Sequence, residues 1–191
     1  IGLILFSFFL LTLVFIPFIG HEANGASRWI RLFGFSFQPS ELMKFSLIVY
    51  ISSYCYRRMT EFKEKWIGFW KPVLVVVLAI ALVLLEPDLG SSAVIFLISL
   101  TIMFIAGAPL KQMSIILFMG SMVFVSMIIL VPWRMQRILS FVDPWSAYGE
   151  SGYQLSQALI AFSRGDLFGV GLGESLQKYH YTKALQKAVL V

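Results

Sequence analysis

Glu41 and Lys44 lie three residues apart, directly after Pro39-Ser40. On a helix that spacing puts a carboxylate and an ammonium on one face. Both fall in an otherwise apolar stretch, where ionisable groups are expensive and are candidates for function. One reading is a polar cavity between helices, opening outward, with the pair as its floor or wall. The other is that Glu41 complements a helix N-terminus while Lys44 snorkels or pairs with it. Glu86 and Asp88 flank a proline in Glu86-Pro87-Asp88-Leu89-Gly90. Two carboxylates so close suit acid and base roles, or a divalent cation, the one cofactor this chain suggests. A tight turn, with Asp88 capping the next helix, explains them as well. Arg134 and Arg137 follow an apolar run and share a face if helical. Guanidinium groups match a diphosphate, and interfacial arginines also bind lipid headgroups. Arg28 and Arg31 carry the same two readings.

Other chemistries are excluded by context. The glycine run 165–173 lacks the Gly-Lys-Ser/Thr of a phosphate loop and the strand–helix–strand setting of a dinucleotide site. It reads as a flexible loop or a backbone nest for an anion. His21 and His180 are too isolated for metal-ligand spacing, so no metal site is assigned. No Ser/His/Asp arrangement is assignable. Cys55 is the single cysteine, which excludes an internal disulfide and makes a packed thiol the default.

These groups must be positioned by very apolar elements. The chain is 59% hydrophobic and 13% charged, against about 45–50% and about 25% in soluble domains. Its mean hydropathy is +0.84. That excludes an ordinary soluble enzyme, a disordered tail and a disulfide-stapled secreted domain. The net charge of +5 belongs to membrane-flanking loops rather than to a nucleic-acid surface. Crossing a bilayer takes about 20 apolar residues. Five blocks qualify, at 1–19, 40–56, 72–85 (extended by 66–70 at the interface), 91–110 and 113–133. The expected fold is all-α, a polytopic transmembrane helix bundle of about five spans over 1–133. A long outer-side loop follows over 134–181, with a short amphipathic helix near 152–162. The chain opens Ile1-Gly2-Leu3 without Met or a basic leader, so its first block reads as a span in progress, not a signal peptide.

The 57–71 loop carries Arg57, Arg58, Lys63, Lys65 and Lys71, and Lys111 follows in the next loop on that side. The positive-inside rule makes this side cytoplasmic. The first span then runs outward, and the segment after Trp133 lies outside. The 20–38 loop mixes Arg28, Trp29, Ile30, Arg31 and alternating Phe33, Phe35 and Phe37, after an Asn24-Gly25 turn signal. It is expected to lie in the interface, rings down and guanidinium groups among the headgroups.

In this order, these segments resemble the FtsW, RodA and SpoVE family of shape, elongation, division and sporulation proteins. Asn24-Gly25 with Arg28-Trp29-Ile30-Arg31-Leu32 is similar to its N-G-x-x-R-W-I-x-L segment. Phe35-Ser36-Phe37-Gln38-Pro39-Ser40-Glu41-Leu42-Met43-Lys44 is similar to F-x-F-Q-P-S-E-L-x-K. Glu86 to Gly90 is similar to Q/E-P-D-L-G. The stretch from Arg137, with Gly152-Tyr153-Gln154 and Gln157-Ala158-Leu159-Ile160-Ala161, is similar to R-I-x-x-F … G-Y-Q-x-x-Q-S-x-I-A. The resemblance covers about 1–181. Gly20-His21-Glu22 and the pattern Arg164-Gly165 … Gly169-Val170-Gly171-Leu172-Gly173 are closer to the FtsW branch than to RodA.

The resemblance implies a peptidoglycan glycosyltransferase of the bacterial cytoplasmic membrane, working at the division septum. An acceptor sugar hydroxyl attacks the anomeric carbon of lipid II, and undecaprenyl diphosphate leaves. Arg28, Arg31, Glu41, Lys44, Asp88, Arg134, Arg137 and Gln154 are the implied substrate and diphosphate contacts. The implied partners are lipid II, membrane lipids, a class B penicillin-binding protein and other division proteins. A lipid II flippase and a non-catalytic scaffold are the alternatives. Two departures stand out. Ala147-Tyr148 replaces a family Asp-Pro. After Tyr181, Thr182 to Val191 replaces the family's Leu-Pro-Glu-x-His-Thr-Asp. The final aspartate there is the proposed catalytic base, so no catalytic residue is assigned, and a truncated, inactive form is expected.

Overall fold

The computed structural model describes residues 2–16, 20–23, 26–32, 35–143, 145, 153–165, 169 and 171; at 20–28, 31, 32, 35 and 154 it describes backbone at most. Among these residues it forms eight helices and three short strands. The chain divides into two compact units, 1–124 and 125–191.

The first unit is a helical bundle: α1 (Gly2–Leu13), α2 (Pro39–Arg57), α3 (Met59–Glu64), α4 (Trp66–Leu85), α5 (Leu89–Ile105) and most of α6 (Leu110–Ile129). The polytopic helix bundle expected from the sequence is therefore present. α4 and α6 are each 20 residues long, or about 30 Å at 1.5 Å per residue, enough to cross a hydrocarbon core. α1 and α5 are apolar but shorter, at 12 and 17 residues. α2 is the central element. It buries Met43, Ser46, Leu47, Ile51 and Cys55 at helical spacing, against α1, α4 and α5. Cys55 is packed, as its apolar setting suggests. Where α1 and α2 meet, Ser7 Oγ and Ser46 Oγ are 2.5 Å apart. Small hydroxyl residues let membrane helices approach closely and bond across the interface.

Several boundaries differ from the sequence expectation, each for a local reason. The fourth span ends at Ile105, not at 110. Gly107 adopts φ +81, its N–H donates to Phe104 O at 2.9 Å, and the Ala108 N–H donates to Met103 O at 3.0 Å. That pair of bonds is a left-handed glycine stop, and Pro109 follows it. The fifth span ends at Ile129, not at 133. Pro132 has no N–H to continue the ladder and holds Val131 extended, at φ −117 and ψ 104. A new helix, α7 (Pro132–Val142), starts there. The 20–38 loop carries a three-stranded antiparallel sheet, β1 (Gly20–Ala23), β2 (Ala26–Leu32) and β3 (Phe35–Phe37), in that order. Ala23 pairs with Ala26 across 24–25, and Ile30 pairs with Phe37. The conformation of Asn24-Gly25 itself lies outside the described residues.

The 57–71 loop contains α3, whose Phe62 is fully buried and sits 5.8 Å from the Phe69 ring. The Glu61 carboxylate accepts from Lys71 at 2.6 Å and from Arg58 at 2.7 Å. Those bonds, Lys71 first, pull its carboxyl down to about 2 from 4.5. A depressed carboxyl stabilises the fold above its unfolded value and loses that contribution as pH falls. The junction of α3 and α4 is therefore expected to loosen between about pH 4.5 and 2. Amide exchange at 58–71 tests this: Glu61→Gln should raise exchange at neutral pH and flatten the acid response. An unchanged acid response in that variant would assign the effect elsewhere.

Candidate functional site

α2 starts where it does because Pro39 occupies its first turn and holds Gln38 extended. β3 feeds directly into that start, and β2, paired with β3, packs beside α2. Across the bundle, Asp88 caps α5. Its Oδ1 accepts from the Ser91 N–H at 3.0 Å, and its Oδ2 accepts from Ser91 Oγ at 2.8 Å. Gln38 Nε2 donates to the same Oδ2 at 3.2 Å. Asp88 thus joins the starts of two helices fifty residues apart in sequence. Of its two sequence readings, the geometry is that of the cap. Glu86 closes α4 and is 1% exposed, so its carboxyl is enclosed rather than presented.

Glu41 and Lys44 form an ion pair at 2.7 Å, one turn into α2. Glu41 keeps 59% of its side chain exposed and Lys44 only 19%, so the carboxylate is the accessible partner. Ser40 Oγ is buried beside them with no hydrogen-bond partner among the described residues. The backbone of Arg28 and Arg31 runs in β2, and their side chains lie outside the described residues.

In the second unit, α7 places Arg134 and Arg137 three apart on one face. Both guanidinium groups reach the Trp133 ring, at 5.2 and 5.9 Å from its centroid. A cation within about 6 Å of an indole face is held by the ring's quadrupole. Arg134 Nη1 also donates to Met127 O at 3.2 Å. One ring thus holds two cations on the same face of α7, an arrangement able to meet an anion. Trp145 N–H donates to Asp143 Oδ1 at 3.2 Å, in the expected turn after α7. α8 (Tyr153–Gly165) is the expected short helix, and Gln154 contributes only backbone to the description. Most of the glycine run, His180 and 182–191 lie outside the described residues. Among the described residues no three of His, Cys, Asp and Glu stand together.

Gln38 and Trp133 were not singled out as site residues from sequence. For Trp133 the signal was its adjacency to the arginines. For Gln38 no local signal exists, because its partner is fifty residues away. The cap makes a direct prediction. Asp88→Ala is expected to cost about 0.5–2 kcal/mol, and Asp88→Asn less, because one carbonyl oxygen can still accept. Thermal unfolding in detergent checks this, and equal melting of Asp88→Ala and the parent would refute the clamp.

A family model described as cell cycle protein, FTSW_RODA_SPOVE, matches residues 1–186. A probable peptidoglycan glycosyltransferase FtsW of Saccharophagus degradans is 47% identical over 179 residues, covering 94% of this chain and 46% of that protein. The corresponding protein of Aeromonas salmonicida is 45% identical over 172 residues, covering 90% and 44%. A solved chain from a peptidoglycan synthase complex that coordinates polymerisation and crosslinking superposes with a TM-score of 0.64 at 30% identity, covering 87% of this chain and 48% of that one. The rod shape determining protein RodA of Thermus thermophilus shares the fold, with a TM-score of 0.56 at 24% identity over 84% of this chain and 54% of its own. The chain spans about half the length of the curated relatives it matches.

Proposed function

Because the chain belongs to the FtsW/RodA/SpoVE family of cell cycle proteins, we propose that it forms the matching half of a peptidoglycan glycosyltransferase of bacterial division. The observation that carries this reading is its 47% identity to a relative of that description. The substrate is lipid II, embedded in the cytoplasmic membrane at the septum. The acceptor hydroxyl loses its proton to a general base and attacks the anomeric carbon, and the diphosphate leaves with the bonding electrons. Arg134 and Arg137, held over Trp133, meet the charge that develops on that leaving group. Arg28, Arg31 and Lys44 supply further cations, Glu41 and Gln154 supply polar contacts to the substrate, and Asp88 holds the starts of α2 and α5 in place. The 57–71 loop faces the cytoplasm and the region after Trp133 faces outward. A class B penicillin-binding protein is the partner, a reading supported by the similarity to a chain of a synthase complex.

Residues 182–191 carry no carboxylate to serve as the base. Because the aspartate that the family resemblance makes the base has no counterpart there, the 191-residue chain is expected to bind lipid II without polymerising it. The test incubates this chain, and separately the complete Saccharophagus degradans relative, with lipid II in detergent. The relative is expected to make glycan strands with no second compartment, and this chain none. Transport of lipid II into vesicles without strand formation would favour a flippase. Co-purification with a penicillin-binding protein, with neither strands nor transport, would leave only a scaffold.

A further inference from the structure

A cavity of about 840 Å³ lies away from the groups assigned above, at the α3 end of α1 and α2. That volume is in the range of about 300–1,000 Å³ for small-ligand clefts. Its lining is mixed: Arg57, Thr60, Ser53 and Tyr50 offer charged and hydroxyl groups, and Leu3 and Val49, both exposed, offer apolar surface. Arg57 has no ion-pair partner among the described residues. Arg58 and Lys71 neutralise Glu61, the one carboxylate on the rim, on two sides. Two cations, Arg57 and Arg58, thus line the cleft against one anion that is itself paired. Cationic and hydroxyl groups beside exposed apolar side chains suit a molecule with an anionic head and a hydrocarbon tail.

We propose that this cleft binds the phosphate headgroup of an anionic phospholipid from the cytoplasmic leaflet, with Arg57 as its charged contact. The glycerol oxygens meet Ser53, Thr60 and Tyr50, and an acyl chain runs along Leu3 and Val49. A free phosphate shares the headgroup chemistry but makes no use of the apolar wall. The leaflet assignment rests on the orientation proposed above; the binding itself does not.

The 191-residue chain, purified in detergent, is titrated with dioctanoyl phosphatidylglycerol, dioctanoyl phosphatidylcholine and inorganic phosphate. Phosphatidylglycerol is expected to bind at least about tenfold tighter than either of the others. Arg57→Gln is expected to weaken it about tenfold, and Ser53→Leu, which fills the cleft without changing charge, to weaken it comparably. Lys65→Gln removes the same charge from the same loop outside the cleft and should change affinity less than about twofold. Equal binding of phosphatidylcholine, equal loss in Lys65→Gln and Arg57→Gln, or equally tight inorganic phosphate would each overturn the proposal. Circular dichroism confirms that each variant is folded. The leaflet is tested separately, by Lys63→Cys and an impermeant maleimide on intact spheroplasts. Labelling there would overturn the orientation while leaving the detergent affinities as they stand.

Discussion

Replacing Arg134 and Arg137 together by glutamine, in a complete enzyme carrying this segment, is expected to lower kcat for lipid II polymerisation by about 10²–10³-fold. The expectation follows from where negative charge appears. In the ground state the diphosphate is esterified on both sides, and in the transition state one bridging oxygen gains charge. Cations aimed at that oxygen therefore act mainly on kcat, and less on KM. Both guanidinium groups are already held by the Trp133 ring and need little reorganisation. Lysine at both positions keeps the charge but loses the planar fork, so only partial rescue is expected. Trp133→Leu leaves both charges and removes their anchor, and its smaller loss should also fall on kcat. If the double glutamine variant polymerised normally, or lost only lipid II affinity, the arginines would be headgroup anchors instead.

The second large effect is expected at Gly68. A Cβ there would overlap the backbone carbonyl of Glu61, and it would stand 2.8 Å from Glu61 Cγ. A backbone atom cannot swing aside as a side chain can. Gly68→Ala is therefore expected to destabilise by about 1–3 kcal/mol, the usual range for overpacking. The same residue is pinned from another direction. Pro72 has no N–H for the Gly68 carbonyl four residues earlier, so that acceptor is left over by the helix. The Tyr54 hydroxyl fills it from α2 at 2.8 Å. Tyr54→Phe should then cost about 1–3 kcal/mol by leaving the carbonyl unsatisfied. The two substitutions act on one junction and should be less than additive. Melting of the single and double variants in detergent measures this. A Gly68→Ala chain as stable as the parent would show that α3 does not press on α4.

The periodic and compositional features of this molecule were legible in its sequence. Long uncharged blocks gave the bundle, and the i, i+3 spacing of Arg134 and Arg137 gave their shared face. Asp88 just before an apolar run carried the cap among its readings. What escaped depends on local stops or distant partners. Phe35, Ser36 and Phe37 alternate with the period of a strand, but aromatic rings beside arginines also fit a membrane interface. Gly107 ends α5 through a φ that hydropathy cannot register, and Pro132 breaks an apolar run that stays apolar on both sides. The bonds from Gln38 to Asp88 and from Tyr54 to Gly68 exist only once the helices have packed.

The most direct measurement uses a chimera in which residues 1–181 of this chain replace the matching segment of the Saccharophagus degradans relative. The chimera and its parent are incubated with lipid II in detergent, and the products are resolved by length. Both are expected to make glycan strands, abolished in the chimera by the double arginine replacement. A folded chimera that binds its penicillin-binding partner but makes no strands, beside an active parent, would contradict that expectation.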